Sequence, residues 1–196
     1  GSRTRPQVEA YGESFAERPI DDPVMILGIV SDTHGNARRT ARATGEFLSR
    51  GVNAVVHCGD IGGENVLMEL VAAFDPIQIP VYCVEGNVDY GDISLRSFPS
   101  NTVVMLLGAF GDLTLAGKRI AVTHGDDAVR LRAAARRNEY DYVLTGHTHQ
   151  PEDRMEGQTR VINPGAVHRT PEPGIAVLDT VRDEITFLAL IDRADQ

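Results

Sequence analysis

The chain is short of cysteine, of positive charge and of long apolar runs, and each shortage removes a class of protein. Its two cysteines, Cys58 and Cys83, stand at the ends of apolar strand-like runs rather than in a loop framework. That excludes a disulfide-stapled scaffold and points to a reducing, cytoplasmic setting, with both thiols read as small core hydrophobes. Basic residues number 19 against 28 acidic ones, a net charge of -9. Affinity for a nucleic-acid polymer comes from neutralised phosphates and released counterions, so no stable nucleic-acid complex is expected and a small substrate fits better. The longest apolar stretches, VMILGIV at 24–30 and VVMLLGAF at 103–110, fall well short of the ~20 residues that span a bilayer. No membrane segment is expected. Residues 1–22 are polar and lack the apolar core of a secretory signal, and are expected to form a loose arm ahead of one domain over 23–196. No internal repeat or low-complexity segment occurs, and a homo-oligomer is compatible with the composition.

From Val24 onward, apolar runs alternate with amphipathic stretches, the signature of a layered α/β fold. Strands are expected at 24–30, 53–57 and 81–84 and helices over 37–50 and 64–74, the second from the spacing of Val66, Leu67, Leu70 and Phe74. Each of these strands runs into a polar, glycine-containing turn: SDTHGN, CGD and EGNVDYG. In the second half, VVMLL precedes a hairpin turning at Ala116-Gly117-Lys118, a helix over 126–138 and the strand DYVLTG, which ends in HTH. The tail RVINPG, GIAVLDT and EITFLALI reads as three more strands, the last two paired about Val181 to Asp183.

Metal-ligand residue types gather at the strand ends: Asp32, His34, Asp60, Asn87, His124, His147 and His149. His147 and His149, at i and i+2, share one face of an extended chain, whereas helix-borne zinc proteases need i and i+4. Open α/β sheets build their sites in the crevice at the carboxyl ends of strands, where these turns would converge. Two carboxylates, four imidazoles and one amide are too many for a tetrahedral zinc and suit two ions. Two dications about 3.7 Å apart repel by about 18 kcal/mol at an effective dielectric of about 20, so a bridging anion is needed, and Asp60 is the natural one. A glycine beside each ligand (Gly35, Gly59, Gly86, Gly125, Gly146) allows the tight turn that aims a short side chain inward. With two dications, two carboxylates and a hydroxide the site carries a charge near +1, which attracts phosphate although the protein is acidic. The mixed nitrogen and oxygen set favours Mn, Fe, Co, Ni or Zn over Ca or Mg.

Other polar residues have plainer readings. His57 is expected to be a buried, hydrogen-bonded support rather than a ligand. His168 falls at the pocket rim or on a surface loop. Arg38 and Arg39 read as a solvated helix face, with a contact to substrate phosphate as the alternative. Arg130, Arg132, Arg136 and Arg137 form a basic helix side facing water or acidic neighbours. Asn163-Pro164-Gly165 is a structural turn whose amide could donate a supporting hydrogen bond.

The ordered series DxH, GD, GN, HG and GHxH resembles the calcineurin-like metallophosphoesterases, and with INPGAV near the end the chain looks like their small bacterial and archaeal phosphodiesterase branch, over about residues 24 to 191. The resemblance implies a four-layer α/β/β/α sandwich with two mixed sheets. It places Asp32, His34, Asp60 and His149 around one divalent ion and Asp60, Asn87, His124 and His147 around the other, manganese first among the candidate metals. It further implies a small phosphoester substrate, attacked in line by a metal-bridging hydroxide, with Asp60, Asn87 and His147 in the catalytic centre. Many larger relatives carry a His directly after the motif Asn; here Val88 stands there, and Asp89 is expected to orient a ligand or a water. Without a dedicated acid, esters with good leaving groups should react more readily than alkyl esters. Two alternatives remain within the same resemblance: a nuclease, and a non-catalytic protein-binding scaffold such as the retromer subunit of this fold.

Overall fold

The structure, a computed structural model, describes residues 25–190, so the arm expected over 1–22 lies outside the described residues. One sheet runs in the order β11-β10-β1-β2-β3-β4. Its strands are β1 (Ile26–Val30), β2 (Ala54–His57), β3 (Val81–Cys83), β4 (Val104–Leu106), β10 (Gly174–Asp179) and β11 (Glu184–Ala189). The second sheet runs β5-β6-β7-β9-β8, from β5 (Phe110–Leu115), β6 (Lys118–Thr123), β7 (Tyr142–Leu144), β8 (Pro151–Glu156) and β9 (Thr159–Pro164). Both sheets are mixed: β1 pairs parallel with β2 and antiparallel with β10, while β7 lies parallel to both β6 and β9, and β8 returns antiparallel to β9.

Alternation along the strands creates the layers. Leu27 and Ile29 of β1, with Ala54 and Val56 of β2, turn to one face and pack on Ile120, Val122, Leu144 and Ile162 of the other sheet. Their neighbours Val30 and Val55 turn the other way, onto Phe47 of α1 (Ala37–Ser49) and Val66, Leu67, Leu70 and Phe74 of α2 (Glu64–Phe74). On the far side Ala121, Val143 and Val161 cover Ala134 and Ala135 of α4 (Ala128–Arg136). A side-chain period of two therefore sends each strand's residues into two cores, and the result is helix, sheet, sheet, helix. The expected four-layer sandwich is the observed architecture.

Most expected elements form within a residue or two of their predicted ends. The hairpin between β5 and β6 turns on Ala116 and Gly117, both at positive φ (46° and 76°), the conformation a two-residue type I′ turn requires. The helix expected over 126–138 is shorter, because Asp127 is its cap: Oδ1 accepts from the N–H groups of Val129 and Arg130. Besides a 3-10 turn at Asp75–Ile77, a strand and a short helix are absent from the expectation. Strand β8, PEDRME, has no apolar period; it is an exposed edge fastened by pairing with β9 and by charge pairs such as Arg160 with Asp153 and Arg136 with Glu156. A short helix α3 (Ile93–Arg96) lies in the loop after β3, capped by Asp92 accepting from Ser94 N–H. None of the helices is long and apolar enough to cross a membrane among the described residues.

Strands β1, β2 and β3 of the first sheet and β6, β7 and β9 of the second release their chains at the same edge of the sandwich. The turns there are tied together: Asp32 N donates to Gly59 O at 3.0 Å, His34 N to Asp60 O at 2.9 Å, and Gly146 N to His124 O at 2.9 Å. Bonds also cross between the sheets, among them His147 N to Asp32 Oδ2 at 3.1 Å and His124 Nδ1 to Cys58 O at 2.9 Å.

Candidate metal centre

Five of the seven residues singled out at the strand ends occupy the left-handed region of backbone space: Asp32 (φ 54°), His34 (44°), Asp60 (52°), His147 (70°) and His149 (59°). Non-glycine residues adopt it uncommonly and at some cost, and such positions collect at functional sites. The strain folds each turn back sharply, so side chains from distant strands meet. Two glycines make room for them. A methyl on Gly86 would stand 2.3 Å from Asp60 Oδ1, and one on Gly146 would stand 1.9 Å from Ser31 Oγ and 2.8 Å from Asp32 Oδ2.

Asp32, His34 and His149 form one cluster, and Asp32, Asp60 and His124 another, each with its ligand atoms within 4.8 Å of one another. His149 Nε2 lies 3.1 Å from Asp32 Oδ1 and 3.4 Å from His34 Nε2. His34 Nε2 is 3.7 Å from Asp60 Oδ2, and His124 Nε2 is 3.3 Å from Asp60 Oδ1. The His147 ring meets that of His124 edge to face, centroids 5.1 Å apart, and is exposed. Asn87 is exposed at the end of β3, immediately before Val88, whose N–H donates to Asp60 Oδ1 at 3.1 Å.

The donor set fits cations. His124 donates its Nδ1 proton to Cys58 O at 2.9 Å, and His149 Nδ1 lies 3.3 Å from Arg169 O. Each carbonyl holds a proton on Nδ1 and leaves Nε2 directed at a carboxylate and available to a metal, the usual support of a metal-ligating His. Asp32 Oδ1 and His124 Nε2 are both buried with no hydrogen-bond partner. Buried polar atoms are normally paired. A cation about 2.1 Å from each of two donors sets them roughly 3.0 to 3.4 Å apart, the spacing found here.

The two carboxylates also set the charge of the imidazoles, and a metal at His124 Nε2 would take the place of a proton. Burial opposes charge on His124, but the neighbouring Asp60 carboxylate outweighs it and holds the imidazole pKa above its ordinary value. Burial would push Asp60 up; His124, the Val88 N–H and His34 together hold it down, so it stays anionic. His34 is lowered, chiefly by burial, which keeps it unprotonated and free to ligate.

Supporting residues fix the turns. His57 is fully buried, with Nε2 2.9 Å from Thr33 Oγ1 and Nδ1 accepting from Gly59 N at 3.2 Å, so it braces two turns and touches no cluster atom. Asp89 is buried, and its oxygens accept three backbone N–H groups, from Ile61, Gly62 and Gly86, each at 2.9 Å. It therefore binds the β2 and β3 turns to each other, and these bonds occupy both oxygens. Asn163 Nδ2 donates to Gly146 O at 2.8 Å and Thr148 Oγ1 at 3.0 Å, pinning the GHTH turn. Cys58 and Cys83 are fully buried in the apolar clusters. His168 sits at the rim, its Nδ1 3.2 Å from Asn36 Nδ2. Arg39 donates to Val167 O, while Arg130 and Arg136 pair with Asp127 and Glu156. Arg169, whose carbonyl meets His149, was not legible as a site residue; its place directly after His168 was the one signal available.

His57 makes stability depend on pH. Burial, with His124 nearby, lowers its pKa to about 3 against 6.5 for a free imidazole. Between those values the unfolded chain takes up a proton that the folded chain refuses, so stability falls as pH falls. The loss is about 2 kcal/mol from pH 6.5 to pH 5 and saturates near pH 3. His34 and His168 shift in the same direction, and His124, raised, is already protonated through that window. Urea denaturation of chelator-treated protein at the two pH values measures it, and His57→Gln should flatten the difference; equal slopes in both proteins would contradict the assignment.

With the fold and cluster in view, the class is defined: the chain belongs to the calcineurin-like phosphoesterase superfamily, whose domain matches residues 25–183. It is thereby a phosphoester hydrolase of a family that works with divalent metal ions. It is 28% identical over 169 residues to a phosphodiesterase of Methanocaldococcus jannaschii, covering 85% of this chain and 99% of that one. Identity is 30% over 164 residues to a probable metallophosphoesterase of Methanothermobacter thermautotrophicus, covering 79% and 85%. The solved structure of an archaeal phosphodiesterase superposes with a TM-score of 0.73 at 27% identity, covering 84% of this chain and 99% of that one.

Proposed function

We propose that the protein hydrolyses phosphodiesters of small or nucleotide-like molecules at a centre of two divalent ions, with manganese the first candidate and Fe, Ni, Co or Zn the others. Asp32, His34, Asp60 and His149 would hold one ion and Asp60, Asn87, His124 and His147 the other. The observation that carries this reading is the convergence of ligand atoms on one spot: Asp32 Oδ1 and His124 Nε2 are buried without a hydrogen-bond partner, and His149 Nε2 lies 3.1 Å from Asp32 Oδ1. Bound dications supply polarisation of the phosphoryl oxygens and activation of water. The chain supplies the rest. Asp60 faces His34 and His124 at once and so stands where a shared anion is needed. Cys58 O and Arg169 O keep the Nε2 atoms of His124 and His149 as donors to metal. Asp89 and Asn163 hold the turns in register, which fixes the substrate position relative to the ligands. The phosphodiester preference rests on the named activities of the archaeal relatives.

Chelator-treated protein titrated with Mn, Ni, Co, Zn or Fe, against an aryl phosphodiester and the matching monoester, tests the proposal. Turnover is expected to return with metal, and the diester to be preferred. No turnover with any of these metals would contradict it and favour the scaffold of the same fold.

A further inference from the structure

The segment after β9 closes one side of the cluster. Val167 N donates to Ser31 O and His168 N to Asp32 O, both at 3.1 Å, so the chain is stitched to the turn that carries Asp32 and His34. Arg169 follows at positive φ (56°), with its carbonyl on His149 Nδ1. The residue is exposed, and its backbone sits directly between the His168 N–H bonded to Asp32 O and the carbonyl on His149, beside the ligand cluster. Among the described residues it pairs with no carboxylate. Beyond His124, by contrast, the charges are matched: Tyr90 OH donates to Asp126 Oδ2 at 2.9 Å and Arg130 pairs with Asp127. A cation held without a counterion next to a ligand cluster is set for an anion from outside.

We infer that Arg169 is a substrate-binding residue, whose guanidinium takes the non-bridging oxygens of the phosphoryl group on the His34 and His149 side. The inference rests on the proposed phosphoesterase reading and deepens it. The planar fork suits two oxygens of one phosphoryl group. Binding there orients the ester with its phosphoryl oxygens toward Arg169 and its substituents away from it. His168 adds to this edge: with Nδ1 against the Asn36 amide, its proton sits on Nε2, a second neutral donor.

Two readouts test this in metal-saturated protein: calorimetric titration with inorganic phosphate, and kinetics on the aryl phosphodiester, for wild type, Arg169→Ala and Arg169→Lys. Arg169→Ala is expected to weaken phosphate binding and raise KM by about tenfold, with kcat changed by less than about threefold and metal content unchanged. Arg169→Lys should recover part of the affinity, and the salt dependence of kcat/KM should be shallower in Arg169→Ala than in wild type. Phosphate affinity and KM within twofold of wild type in Arg169→Ala would overturn the inference, as would a loss explained wholly by lost metal. A wild type that binds phosphate but turns over no ester would sink the phosphoesterase reading instead, and the phosphate affinities of the variants would still decide the role of Arg169.

Discussion

Asp60→Asn is expected to lower kcat/KM by about a thousandfold or more, equivalent to about 4 kcal/mol of transition-state stabilisation, while the fold survives. The amide keeps the shape of the carboxylate and can still accept the Val88 N–H that Asp60 Oδ1 takes at 3.1 Å. What it loses is the charge between two groups of imidazoles, 3.3 Å from His124 and 3.7 Å from His34. In the proposed two-ion centre the repulsion between the dications would then be unrelieved, so bound metal should fall to one ion or fewer per chain. Elemental analysis and far-ultraviolet circular dichroism check both halves. A variant that keeps two ions and wild-type turnover would remove Asp60 from the centre.

Asp89→Ala should act on stability, with a loss of about 3 to 5 kcal/mol in urea denaturation. Two buried N–H groups, those of Ile61 and Gly86, and the part-buried one of Gly62 lose their carboxylate acceptor at once. A buried donor left unpaired costs about 1 to 3 kcal/mol, and water entering the space recovers part of it. For a domain whose total stability is about 5 to 15 kcal/mol, that is a large share. Metal affinity should drop as well, because the turn bearing Asp60 is no longer fastened to the turn bearing Asn87. A loss below about 1 kcal/mol would show that the three bonds are replaced by water.

These expectations separate what the sequence carried from what it hid. The layered architecture was legible because Leu27 and Ile29 alternate with Val30, and Val66, Leu67, Leu70 and Phe74 recur at helical spacing, so burial leaves a periodic trace. Strand β8 left none: its edge position is set by pairing with β9 and by charge pairs that only the folded chain brings together. The cluster was legible in outline, since Asp32, His34, Asp60, His124 and His149 fall in turns that one sheet edge must gather, and the structure brings them together. His57 was readable as a support because it lies inside an apolar run. The exact duty of Asp89 was not, because its three partners are backbone groups with no sequence identity. Arg169 was hidden for a related reason, since it is fastened to the site through its carbonyl and through the backbone of Val167 and His168.

Crystals of the protein grown with manganese, mapped by anomalous scattering, test the central claim most directly. The account predicts two peaks, on either side of the Asp60 carboxylate, one within bonding distance of Asp32, His34 and His149 and the other of Asn87, His124 and His147. A map with no peak there, or a single peak that leaves His124 and His147 unligated, would contradict it.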